Sequence, residues 1–248
     1  MRQATVVIII VISMFGLTLA QSSKEKPVLP SQIRSPFPME KGTVLSYAGT
    51  IRWTDSSNCV REKQIEWSMR VVARFLKPNM EIAYIAGHPL DLCWYEEGKA
   101  PGNYLIARYR RSYYLVSLKS DQWREVAEKI RVKDNGLVCP GERIELFLDL
   151  PLLLGMKFGG DDPARSDYCW QVEKVTPANW NELPVRSEMP NAVFHLCYET
   201  NPDTTTFDFL PGIGITAFTY RHHGTVGEVN LHLINVIVPS YQAATSKR

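Results

Sequence analysis

The sequence predicts a mainly β fold, a β-rich α+β domain in which one curved antiparallel sheet or half-open barrel carries at least one packed helix. Three observations point there. From Phe209 to Val238, two runs rich in Ile, Thr, Phe, Tyr, Val and Leu flank a short Gly-containing break, the signature of a β-hairpin. Short runs of alternating apolar and polar residues recur through the rest of the chain. Only one segment, just after Ser120, sets apolar residues at helical spacing.

In chain order, residues 1–20 combine Arg2, an apolar run from Val6 to Phe15 and the small-residue ending Thr18-Leu19-Ala20. This is the pattern of a secretory signal peptide cleaved after Ala20. An uncleaved anchor is the alternative, although the run is short for a hydrocarbon core of about 30 Å. No Cys stands directly after the cleavage point, and no later segment is apolar enough to span, so a soluble secreted or periplasmic protein is expected. Residues 21–36, rich in Pro and charge, read as a flexible tether. Residues 37–240 then form a single β-rich domain, and 241–248 a polar tail.

Inside the domain, Val44 to Thr54 and Val60 to Leu76 read as strands, the second because Ile65, Trp67, Met69 and Val71 alternate. Pro78 breaks the run. Glu81 to Ala86 and Leu90 to Tyr95 look like short strands, and Tyr104 to Tyr109 with Tyr113 to Leu118 like a hairpin around Arg110-Arg111-Ser112. The helix begins at Ser120 or Asp121 as cap and places Trp123, Val126, Ala127 and Ile130 on one face, against a sheet. Ile144 to Leu154 fits either state. Tyr168 to Val175 and Ala192 to Tyr198 precede the last hairpin. There, a loop His222-His223-Gly224 sets Arg221 against Thr225, Ala217 against Val229, Ile215 against Leu231 and Ile213 against Leu233, with Gly224 free to take positive φ. A β-branched residue at Gly224 is expected to destabilise that loop.

Leu150-Pro151-Leu152-Leu153-Leu154-Gly155 repeats the theme of Phe37-Pro38-Met39-Glu40-Lys41-Gly42: apolar, Pro, apolar, two variable positions, Gly. Each copy precedes a strand candidate carrying Trp, so two similar halves meeting near residue 149 are one reading and coincidence the other. With the late Pro211-Gly212-Ile213-Gly214, this resembles a pattern of exported bacterial proteins of uncharacterised function that pair Pro-Leu-x-x-Gly with Pro-Gly-x-Gly. Some of those look like the periplasmic lipoprotein-carrier group. That resemblance implies a curved antiparallel sheet that wraps helices and shelters an acyl chain, and carries no binding residue with it.

Candidate chemistry is sparse. Formal charge is +2, and falls by one when Arg2 leaves with the signal, which argues against a polyanion partner. Arg108, Arg110 and Arg111 among Tyr104, Tyr109, Tyr113 and Tyr114 could form an aromatic-basic surface, yet a solvated hairpin has the same composition and nucleic acid is not expected. His222, His223 and His232 invite a metal reading that the hairpin geometry disfavours, because they diverge. Asp161, Asp162 and Asp167 lack the spacing of a calcium loop. No catalytic signature, phosphate loop or cofactor fingerprint occurs, so no cofactor is expected. Carboxylates such as Asp91, Glu96 and Glu97 could still converge in space.

Cys59, Cys93, Cys139, Cys169 and Cys197 would pair twice in an oxidising compartment, with a bridge between neighbouring strands at Cys169 and Cys197. Trp53, Trp67, Trp170, Phe218 and Tyr220 are core residues unless the sheet leaves a concave cavity, in which case they line it. The leading reading is therefore an exported non-enzymatic binding protein for a lipid-like or other apolar ligand. A cell-envelope interaction module is the second, and a hydrolase whose site assembles only in the fold the third.

Overall fold

The computed structural model describes residues 35–119, 122–160, 168–179, 192–223 and 226–239. The export signal, most of the tether, Ser120, Asp121, the aspartates between 161 and 167, Gly224 and the tail lie outside them, and the helix N-cap is Gln122 rather than the expected Ser120 or Asp121. Two strands open the body, β1 (Val44–Thr54) and β2 (Val60–Lys77), followed by β3 (Met80–Ala86), β4 (Asn103–Tyr109) and β5 (Ser112–Ser117). The helix α1 (Trp123–Lys129) and a small hairpin of β6 (Arg131–Lys133) and β7 (Gly136–Val138) come next. Then follow β8 (Ile144–Asp149), β9 (Lys157–Phe158), β10 (Trp170–Pro177), β11 (Ala192–Glu199), β12 (Asp203–Leu210), β13 (Gly214–His222) and β14 (Gly227–Ile237).

Apart from β6 and β7, these strands form one antiparallel sheet in the order β8-β5-β4-β3-β2-β1-β14-β13-β12-β11-β10-β9. The sheet curls into a nearly closed barrel. Its ends meet where Phe147 of β8 stands edge-on to Trp170 of β10, ring centroids 6.4 Å apart. At one end, here the near end, Phe37 and Met39 enter the interior, fully buried, and the Pro36 carbonyl accepts a hydrogen bond from Gly212. At the far end, residues 87–102 cross the opening and put Leu92 inside.

Alternation decides which side each residue faces. Ala83, Ile85, Ile106 and Leu115 belong to the interior cluster, whereas Ile82, Leu105, Ala107 and Val116 face outward. That outer apolar strip is covered by α1, through Val126, Ala127 and Ile130, and by Leu137 of β7. Trp123 stacks on Tyr84 with planes 7° apart. The helix thus packs on the convex side, and the resemblance that has the sheet wrapping its helices is corrected here.

Four further expectations change. First, the last hairpin forms, but its register sets Ala217 against His232, Phe218 against Leu231, Tyr220 against Val229 and Arg221 against Glu228. An irregularity between β12 and β13 skips Thr216, so Ile215 and Phe218 both point inward. Burying Phe218 and Tyr220, each worth about 150–250 Å² of surface, outweighs the Ala217 face that a constant period favours. Second, Leu90 to Tyr95 is not a strand. Pro89 starts a 3-10 turn, Pro89–Leu92, capped by the His88 imidazole, and Trp94 sits at φ +59°.

Third, β12 forms where no strand was expected. Thr205, Phe207 and Phe209 point inward at period two behind Asn201-Pro202. Fourth, none of the five cysteines is in a disulfide. Cys197 pairs across the ladder with Gln171, two residues beyond Cys169, so the expected bridge would have to span a diagonal. Burial pushes the Cys197 thiol up to about 12 and raises the Cys93 thiol as well, whereas Cys59 is exposed. Titration with a thiol reagent is expected to find only Cys59 fast in the native protein and five thiols after denaturation without reductant. Fewer than five would reveal a bridge.

Candidate functional site

The aromatic residues that composition puts forward as cavity lining all pack on protein neighbours, and Tyr220, Trp170 and Trp67 in addition border three separate recesses. Trp53 is edge-on to Tyr95 at 5.1 Å and Trp170 to Phe207 at 4.8 Å, while Phe218 is buried to 1%. Trp67 donates its indole N–H to the Gly87 carbonyl at 2.8 Å, and the Tyr220 hydroxyl donates to Asp203 at 2.9 Å. They are spread along the barrel wall and do not converge on one space.

The recess that does open inside the sheet lies at its near end. β2 and β3 project beyond the start of β1, since Val44 is level with Arg70. Their concave face there is left without a neighbouring strand on the β1 side. A recess of about 630 Å³ results, lined in part by Arg74, Leu76, Met80, Glu81, Arg108 and Arg110. Cross-strand pairing of Arg74 with Ala83, Leu76 with Glu81 and Glu81 with Arg108 places these side chains on the interior side.

Glu81 is 8% exposed and would be costly there alone. Arg74 Nε holds one carboxylate oxygen at 2.7 Å and Arg108 Nη2 approaches the other at 3.6 Å. Arg108 also donates to the Ser35 hydroxyl at 3.2 Å, and that hydroxyl lies 3.0 Å from the Tyr113 hydroxyl. The beginning of the described chain is thereby tied to the recess wall. Arg110, in the β4–β5 turn at φ +56°, lays its guanidinium over Tyr109 at 5.1 Å. Arg74 and Arg108 thus hold a single carboxylate beside the apolar Leu76, with Arg110 and Met80 also lining the recess. Such an arrangement can accept an anionic head with an apolar body.

Sequence reading flagged Arg108 and Arg110 but missed Arg74 and Glu81. Skipping of Val72 between β2 and β3 changes the phase of β2, so no constant period brings Arg74 inward. Nor does Arg111 join the recess wall. Tyr104 bonds to Asp91 at 2.6 Å and Tyr113 is buried, so the basic and aromatic residues of this hairpin do not form one surface.

The histidines go separate ways. His222 Nδ1 lies 2.7 Å from Asp203, with Trp94 over the ring at 4.4 Å, whereas His223 lies 3.0 Å from the Thr204 hydroxyl and His232 is exposed on β14. Among the described residues, no group of three or more His, Cys, Asp or Glu is placed to hold a metal ion. Asp91 accepts from Tyr104 and from the Gly102 amide, yet burial still raises its pKa. On the outer face, Thr176, His195 and Asp208 form a hydroxyl–imidazole–carboxylate relay, with distances of 2.9 and 2.6 Å. That order is the one a hydrolytic triad uses, but among the described residues it lines neither the near-end recess nor the two others of comparable size.

No family model matches this chain, and no curated relative does. Two solved structures superpose on it in part. A protein of YMCC-like fold from Bacteroides fragilis, described as exported, has 10% identity and a TM-score of 0.39, over 82% of this chain and 99% of that one. A protein from Parabacteroides distasonis, described as a lipoprotein, has 8% identity and a TM-score of 0.38 over the same shares. Superposition this loose with identity this low establishes neither a fold family nor a function. Among the described residues, no helix is long and apolar enough to cross a membrane, which leaves membrane crossing by strands unaddressed.

Proposed function

We propose that this chain is an exported, non-enzymatic binding protein whose ligand is an amphiphile with an anionic head, seated at the near-end recess. The carrying observation is the pair Arg74 and Arg108 on Glu81, beside Leu76 on the concave side of the sheet, with Arg110 and Met80 also lining the recess. Arginine favours this role because its planar fork grips a carboxylate or phosphate with two bonds. The apolar body of the ligand lies along Leu76, of which 64% is exposed in the free protein. Export rests on the reading of residues 1–20.

The test is a titration of detergent-free protein with palmitate and, separately, with the alcohol of the same chain length. Palmitate is expected to bind, and the alcohol at least about tenfold more weakly, a difference of about 1.4 kcal/mol. Arg74→Gln combined with Arg110→Ala is expected to remove that preference while Arg108 keeps Glu81 paired. Equal affinity for acid and alcohol, or an unchanged preference in the double variant, would overturn the reading.

A further inference from the structure

Two turns of the fold share one local geometry and differ in what they carry. Gly42 donates to the Val71 carbonyl at 2.9 Å, and Val71 donates back to Thr43 at 2.9 Å. Gly155 donates to the Val172 carbonyl at 2.8 Å, and Val172 donates back to Met156 at 2.9 Å. Both glycines have positive φ, +90° and +78°, and both follow a tight turn, closed by Thr43 onto Glu40 and by Met156 onto Leu153. In each, the residue after Pro is buried and anchors the turn, Met39 in one and Leu152 in the other. The next two positions are Glu40-Lys41 in the first and Leu153-Leu154 in the second. The geometry therefore accepts polar residues there, yet Leu153 and Leu154 stand 64% and 68% exposed.

The leucine turn lies at the near end. The Leu150 amide donates to the Arg111 carbonyl at 3.2 Å, which ties it to the β4–β5 turn. Arg110 and Arg111 of that turn are exposed, as is Lys157, two residues beyond Gly155. Asp149, the carboxylate next to Leu150 in the chain, already accepts from the Ser112 hydroxyl at 2.7 Å. Exposed Leu76 belongs to the same end, in the recess wall that Arg110 shares. One end of the barrel thus combines apolar side chains, exposed cations and a turn pinned at both ends.

We infer that the near end docks on the surface of an anionic lipid bilayer, with Leu153 and Leu154 entering the interface and Arg110, Arg111 and Lys157 over the headgroups. Two side chains on a projecting turn supply little of the area that a stable protein interface buries, about 1,200 Å² or more, and they form no groove. A bilayer needs no complementary shape: it takes up apolar area and attracts cations. Docking of this kind is peripheral and reversible. It rests on the turn and its charges rather than on the recess. Where the recess holds an anionic amphiphile as proposed, docking turns its mouth toward the membrane that supplies or receives that ligand.

The test is flotation of the chain as exported, beginning at Gln21, with vesicles of phosphatidylglycerol and phosphatidylcholine in equal parts or of phosphatidylcholine alone. Binding to the mixed vesicles is expected to be tighter by at least about tenfold. Leu153→Ser combined with Leu154→Ser is expected to weaken it by at least about tenfold. An unchanged melting temperature shows that the double variant folds, and its palmitate titration reads the recess separately, so the two proposals fail independently. A nitrobenzoxadiazole label gives the orientation. Attached through Leu154→Cys in a Cys59→Ser background, it is expected to brighten on mixed vesicles. On the native Cys59, exposed at the far end between β1 and β2, it is expected to stay dim. No binding to mixed vesicles, equal binding to both kinds, undiminished binding of the double variant, or a Cys59 label that brightens as much would overturn the proposal.

Discussion

Phe147→Ala is expected to destabilise the protein by about 3–5 kcal/mol, the cost of emptying a fully packed aromatic site. Phe147 is 2% exposed and touches four rings: Phe37 at 6.1 Å, His88 at 5.4 Å, Phe207 at 5.2 Å and Trp170 at 6.4 Å. It is the residue skipped between β5 and β8, which turns its ring inward between Leu146 and Leu148. Phe37 and His88 precede it in the chain, while Trp170 and Phe207 follow, so one ring joins the two ends of the curled sheet. The measurement is a urea midpoint with an unchanged slope. A midpoint within error of wild type would show that the interior is loosely packed.

The same variant separates a filled barrel from a carrier with an interior ligand. If Phe147 fills the centre, only the variant gains a dry void, and only the variant should take up benzene or xenon. His88 adds a second readout. Burial lowers its pKa to about 3, so between that value and the ordinary one near 6.5 the unfolded chain binds a proton that the native protein does not. Stability from this group is therefore lost as pH falls through about 6.5 and on toward about 3. Admitting water beside His88 would let the native state protonate too, so the variant should lose less additional stability over that window.

Much of the architecture was legible because strand alternation is a local signal. β1 has the bounds its residues predict, the last hairpin forms, and Trp123, Val126, Ala127 and Ile130 do make the buried side of a helix. What alternation does not carry is phase across an irregularity. Skipping Thr216 turns both Ile215 and Phe218 inward, skipping Val72 hid Arg74, and Phe147 is itself a skipped residue, while a longer loop, with Arg221 opposite Glu228, moved the last hairpin's register. Each depends on the neighbouring strand, which may lie far along the chain. Glu81 was missed for a related reason: a carboxylate at an inward position reads as a strand end until both arginines are seen beside it. The Pro-x-x-x-Gly segments were visible as a short theme, but their reciprocal bonds to Val71 and Val172 involve residues well downstream.

Gly49→Ala is expected to be about as damaging as a severe overpacking change, about 3 kcal/mol. Gly49 lies in the middle of β1, between Ile65 on β2 and Leu231 on β14. A Cβ built there overlaps the Asn230 carbonyl oxygen and lies 2.8 Å from its carbon and 3.0 Å from the Leu231 Cα. All three are backbone atoms, so no rotamer relieves the contact and β1 must move away from β14. Gly136→Ala is the matched control, because its Cβ would meet only the Tyr114 hydroxyl at 3.5 Å and the Lys133 oxygen at 3.8 Å. That change should stay within about 0.5 kcal/mol of wild type. Urea midpoints measure both, and hydrogen exchange of β14 locates the damage. Equal midpoints for the two variants would mean that the seam yields freely at Gly49. The consequence reaches beyond stability: β14 to β1 is a laddered junction in the middle of a sheet whose end strands β8 and β9, among the described residues, are not laddered to each other, so loosening it leaves the barrel with edges on both sides and raises its tendency to associate.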